Sequence, residues 1–108
     1  MIIQWTNPDV EGIVRGADLR GCKVWVSFQQ GKAREFDVHP PAVTVAYDGT
    51  DTTVTATLTQ AQTALLKTGT VQMQVNWVTP ENRRDATLVK EEEVYVNLLE
   101  REVSYADE

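Results

Sequence analysis

Between Val71 and Val78 the chain alternates without a break: Val71, Met73, Val75 and Trp77 fall on one side, and Gln72, Gln74 and Asn76 on the other. Successive side chains of an extended strand point to opposite faces, so this run predicts a strand with one buried and one wetted face. A helix would scatter the same residues around its axis. The pattern recurs. Val24, Val26 and Phe28 alternate with Lys23, Trp25 and Ser27; Val43, Val45 and Tyr47 with Thr44 and Ala46; Val54, Ala56 and Leu58 with Thr53, Thr55 and Thr57; and Val94, Val96 and Leu98 with Glu93, Tyr95 and Asn97. Threonine suits the outer faces, because its β-branch fits the pleat and its hydroxyl meets water.

Turn residues divide these runs. Asp48-Gly49-Thr50-Asp51 reads as a hairpin turn. Pro40-Pro41 lacks both amide donors and predicts a crossing from one sheet to another. Thr79–Asp85 forms a longer hairpin loop with Asn82 in the left-handed backbone region, and Gln30-Gly31-Lys32 is a short turn. One segment breaks the period: residues 59–67 read as a short helix, with Thr59 and Gln62 as a capping box. Its expected apolar face is Ala61, Ala64 and Leu65, with Lys67 near its C-terminal end and Gly69 just beyond. Between Asp85 and Leu98, Lys90 and Glu92 interrupt the apolar parity. That predicts either one long strand bulged near Glu91-Glu92-Glu93 or a strand whose middle projects past the core.

Six to eight short strands and one helix in 108 residues predict an all-β, single-domain, two-sheet sandwich resembling immunoglobulin-type modules, with an open barrel as the alternative. A chain of this length buries a core without disulfides or metals, and the charged tail from about residue 100 is expected to fray at its end. Trp77 is expected in the core. Trp25, on the opposite parity from Val24 and Val26, is expected under a loop, under the N-terminal segment or against a partner.

Charge and composition narrow the function. The formal net charge is −6, with a pI of about 4.7, which argues against nucleic acid, since phosphate binding needs clustered Lys and Arg. Arg83-Arg84 is the one candidate basic spot, read as solvated charge in a loop. No apolar run reaches the length of a membrane span, and the polar residues after Ile3 leave no signal-peptide core. The expected location is therefore the cytoplasm of the producing cell or a particle assembled there.

Neither catalytic nor metal chemistry is predicted. His39 is the one histidine and Cys22 the one cysteine. A nucleophilic pair would need His39 to meet Ser27, Ser104 or Cys22 in space, and structural zinc needs about four such ligands. Asp48 and Asp51 around Gly49 offer oxygens to calcium, but the turn already explains them. Glu91-Glu92-Glu93 alternate across a strand and guard an edge rather than converge. Gly12 and Gly16 read as part of a loop-like segment, with neither the strand before them nor the helix after that a phosphate loop needs. No cofactor is implied.

Two passages together carry a resemblance: Ala17-Asp18-Leu19-Arg20-Gly21-Cys22-Lys23-Val24-Trp25-Val26-Ser27-Phe28-Gln29-Gln30-Gly31, and Leu58-Thr59-Gln60-Ala61-Gln62-Thr63 followed by Gly69, Val71–Trp77 and Ala86-Thr87. They are similar to small uncharacterised phage- and prophage-encoded β-sandwich proteins of Firmicutes and other gut bacteria, found among head and tail structural genes. The chain departs from that pattern at Ala61 and at Glu81-Asn82-Arg83-Arg84. The resemblance implies a non-enzymatic structural or assembly protein acting through protein–protein contacts, with virion neighbours or self-association as partners. Its expected partner-facing residues are Trp25, Tyr95 and Trp5. The alternative is a carbohydrate-type binding module using Trp25 with Gln29, or Tyr95 with Asn97. A hydrolase built on His39 stands last.

Overall fold

The computed structural model describes residues 1–31 and 35–107; Lys32 of the expected turn and Glu108 of the tail expected to fray lie outside them. The elements in chain order are β1 (Ile2–Ile3), β2 (Asp9–Val14), β3 (Lys23–Gln29), β4 (Glu35–Val38), β5 (Val43–Tyr47), β6 (Thr52–Thr57), α1 (Gln60–Leu65), β7 (Gly69–Val78), β8 (Arg84–Ala86) and β9 (Lys90–Tyr95). One sheet runs β1-β9-β7-β3-β4, with β8 also on β7, and the other runs β2-β6-β5. This is the immunoglobulin arrangement. The second, sixth and fifth strands stand as B, E and D; the third, seventh and ninth stand as C, F and G, with β4 added beside the third.

The alternating runs become the inner faces. Val24, Val26 and Phe28 of β3 and Val71, Met73 and Val75 of β7 are buried against Val10, Val14, Val54 and Ala56 of the smaller sheet. Gly12, expected in a loop, instead stands inside β2 and lies between the sheets, where an added Cβ would come within 3.1 Å of Val75 Cγ2 and 3.3 Å of Met73 Cε. A side chain there would force the layers apart. Trp77, expected in the core, is half-buried and packs against its margin. The Pro40-Pro41 segment crosses from β4 to β5, that is, between sheets, as expected.

Three further expectations need correction. The helix is shorter, Gln60–Leu65, and its buried residue is Thr63, while Leu65 is 57% exposed. Thr59 and Gln62 do form the capping box. But the Thr63 hydroxyl donates to Thr6 O at 2.9 Å and accepts from Thr6 N at 3.1 Å, which turns this face inward. Leu58 and Leu66, flanking the helix, supply the apolar anchors. Gly69 is not the helix cap: it opens β7 at φ +117.

The second correction concerns Val96 and Leu98, which are 57% and 96% exposed, outside the core. β9 ends at Tyr95, and Asn97 instead donates to Gln4 O and accepts from Leu99 N. The third places the bulge. It lies at Thr87-Leu88-Val89, before the glutamates, where the pairing slips by one residue: Asn76 pairs with Ala86, but Met73 with Lys90. The slip exchanges faces, so even-numbered residues point outward in β8 and inward in β9. Thr87 pins it, donating its N–H to Val75 O and accepting from Val75 N, while Gln74 donates to Thr87 O.

Thr52 is fully buried; its hydroxyl donates to Ala17 O at 2.6 Å and accepts from Leu19 N at 3.1 Å. It ties the β2–β3 loop to the smaller sheet. Thr52→Val keeps the shape and orphans the buried Leu19 amide, so it should cost about 1–3 kcal/mol. The exposed Thr44→Val should stay within about 0.5 kcal/mol. Urea unfolding with equal slopes for the three proteins would measure both.

Candidate functional site

The outer face of the larger sheet collects what the core does not use. β3 presents Lys23, Trp25, Ser27 and Gln29; β7 presents Gln72, Gln74, Asn76 and Val78, in register with them. Four amide side chains and one indole give this face neutral hydrogen-bonding groups beside the ammonium of Lys23. The exposed side of β5 and β6 carries threonine instead, at Thr44, Thr53 and Thr55.

Trp25 stands between two open grooves. One, of about 280 Å³, is lined by Trp25, Ser27, Asp37, Asn76, Val78 and Arg84. The other, of about 420 Å³, runs from Trp25 to the hairpin loop at Thr79, Pro80 and Asn82. Asn82 has φ +64, as its place in that loop predicts, and the loop closes through Thr79 N to Arg83 O at 2.9 Å. In the first groove Arg84 Nη2 donates to Asn76 Oδ1 at 3.3 Å. Asp37 on β4 is level with Ser27, and Arg84 on β8, three strands across, is level with Lys23, so an acid and a base flank Trp25 on opposite diagonals. A half-buried aromatic plate with donors and acceptors on either side can hold a flat polar ligand or a protein side chain.

The three aromatics expected to face a partner do not meet. Trp25 pairs with Asn76 near the end of β7, whereas Tyr95 follows Val94, the partner of Gly69 at its start. At 3.4 Å per residue the two are roughly 25 Å apart. Tyr95 is 49% exposed and lies beside the N-terminal segment, its carbonyl accepting from Gln4 N. Trp5, next in the chain, is half-buried at φ +66. Gln29 shares the outer face with Trp25 but sits four residues along β3. The Asn97 amide is engaged by Gln4 and Leu99 rather than turned to Tyr95. Asp37 and Asn76, which help complete the Trp25 groove, are not singled out as site residues by the sequence, and Arg84 reads there with Arg83 as solvated loop charge. Arg84 lies past the loop tip, as the first residue of β8.

The remaining candidates are placed as follows. His39 is exposed, with Nδ1 3.0 Å from Pro40 O. Ser27 lies on the outer face, and Cys22 packs against the core margin. Glu91 and Glu93 point outward, while Glu92 turns inward and meets Lys90 and the Met1 ammonium. Among the described residues no group of three or more His, Cys, Asp or Glu is disposed to hold a metal. No helix among them is long and apolar enough to cross a membrane.

No protein-family model matches the chain, and no curated protein matches it. Among solved structures it is similar to murine CRIg, with a TM-score of 0.34 and 16% identity over 88% of each chain.

The Asp48 turn shows what its carboxylate does. Oδ1 accepts from Asp51 N at 2.7 Å and Thr50 N at 2.8 Å, with Gly49 at φ +98. Those donors hold the carboxyl below the usual aspartate range. A depressed folded pKa contributes stability above the unfolded value of about 3.9, and that contribution is lost as pH falls through the folded value. Asp48→Ala should therefore lower the thermal midpoint at neutral pH, and the gap should narrow below about pH 4. Circular-dichroism melts across that range check it; a gap that persists in acid contradicts it.

Proposed function

We propose that this chain is a non-enzymatic structural or assembly protein of a phage- or prophage-type particle, acting through protein contacts made by the outer face of its larger sheet. The observation that carries the reading is that face itself. Trp25 stands between two grooves towards one end of it, and Ser27, Asp37, Asn76 and Arg84 beside the indole offer donors and acceptors to a partner. Interfaces concentrate their energy in such half-buried aromatics, ringed by polar groups that exclude water. The sequence resemblance to phage structural gene modules supports a virion neighbour as the partner. The expected location is accordingly the producing bacterium's cytoplasm or the assembled particle.

Quantitative mass spectrometry of purified particles should find the chain at a fixed stoichiometry, and its absence from particles would overturn the reading. Trp25→Ala should cut incorporation, because losing a central aromatic costs about 2 kcal/mol, or roughly thirtyfold in affinity. The variant's melting should stay unchanged.

The first groove also favours a second reading, binding of a carbohydrate. A sugar ring could stack on the Trp25 indole while Ser27, Asp37, Asn76 and Arg84 take its hydroxyls. On a glycan array the unsubstituted chain should then retain a defined sugar class and Trp25→Ala should lose it. Silence of both proteins would rule this out.

A further inference from the structure

We propose that the free edge of β2 is a self-association edge, at which two copies of this chain pair antiparallel about a two-fold axis through Gly12. Within the described residues β2 pairs as a strand only with β6. Leu58 N donates to Pro8 O, continuing the register in which Asp9 faces Thr57. Antiparallel pairs alternate in their bonding. The backbone groups of Val10, Gly12 and Val14 therefore turn to β6, and those of Asp9, Glu11 and Ile13 turn to the open side. Lys90 Nζ confirms the direction, donating to Glu11 O at 3.2 Å from that side.

The open side is apolar where a solvated edge should not be. A groove of about 90 Å³ lies there, floored by Gly12, Met73 and Val75 and rimmed by Ile13, Leu88 and Lys90. Ile13 is 53% exposed and Leu88, at the bulge, 92%. Paired about Gly12, two copies would set glycine against glycine at the axis and leave a gap there on the inner side, between the Val10–Val14 pairs, and Leu88 from each copy is placed to fill it.

The strand and Arg15, the turn residue that follows it, supply the complementarity. Asp9-Val10-Glu11-Gly12-Ile13-Val14-Arg15 laid antiparallel on itself sets Asp9 against Arg15 twice and Val10 against Val14 twice. Glu11 and Ile13 then exchange the outward hydrogen bonds. A two-residue slip in one direction sets Glu11 on Glu11, and like charges directly opposite repel. The slip in the other direction sets Glu11 against Arg15 but shortens the overlap to Glu11–Arg15 and loses both Val10–Val14 pairs. Ile13 N–H of the second copy would take the Glu11 carbonyl from Lys90, which keeps its ion pair with Glu92 at 3.1 Å. The product is a continuous six-stranded sheet, β5-β6-β2 joined to its copy, with the Trp25 face left free on each subunit.

Light scattering and sedimentation of the full chain over a concentration series should show a monomer–dimer equilibrium. Asp9→Arg and Arg15→Asp should each weaken the dimer by about tenfold, and the double variant should regain it. Leu88→Lys, at an exposed position that leaves the core untouched, should shift the equilibrium to monomer. A chain that stays monomeric at every concentration overturns the proposal. So does a folded Asp9→Arg chain that dimerises as before, or a double variant that fails to recover.

Discussion

Two apolar faces meet between the sheets, and the position of every other group follows from that contact. Val24, Val26 and Phe28 with Val71, Met73 and Val75 press on Val10, Val14, Val54 and Ala56, with Phe36 stacked on Phe28 at 5.2 Å between ring centroids. Each fully buried side chain of this size contributes about 1.5–3 kcal/mol. The single cysteine, Cys22, cannot add an internal disulfide. Gly12 lets the layers close where a side chain would hold them open. Because packing is complete on the inner parity, the outer parity is released from it, and Trp25 and its amide neighbours owe their availability to that division.

Buried hydroxyls and side-chain amides hold the loops onto this frame. Thr52 fixes the β2–β3 loop, Thr63 fixes the N-terminal crossover, and Gln30 grips Lys67 through both its carbonyl and its amide. Gln60 does the same for the C-terminal segment, donating to Val103 O at 2.7 Å and accepting from Val103 N at 2.8 Å. Each contact satisfies backbone groups that would otherwise stand unpaired at the ends of the sandwich. They are polar, yet their work is structural.

How far the sequence could be read varied with the physics of each element. β3, β6 and β7 were legible because one buried face imposes a strict period of two. The helix cap was legible because capping is local chemistry between Thr59 and Gln62. The helix's buried side was not, since one and a half turns carry too little periodicity to outvote the Thr63–Thr6 hydrogen bonds. β8 misled because the residue added at Thr87–Val89 reverses parity, so Ala86 faces outward although Val94 faces inward; β9 misled because Val96 and Leu98 keep the parity of Val94 past the strand's end at Tyr95. Trp25 could be singled out as an aromatic on the wrong parity. Its companions Asp37, Asn76 and Arg84 come from three other strands, and only the pairing register brings them beside it.

The slip at Thr87–Val89 also changes how this hairpin can evolve. Its outer arm and its inner arm keep different time: a substitution at Arg84 or Ala86 alters the exposed surface, whereas one at Val94, of the same parity, alters the interior. Drift at the tip is thus uncoupled from the base. The loop from Thr79 to Arg83 can lengthen, shorten or change its charges without transmitting strain to β9, because the unpaired residue absorbs the mismatch before it reaches the core.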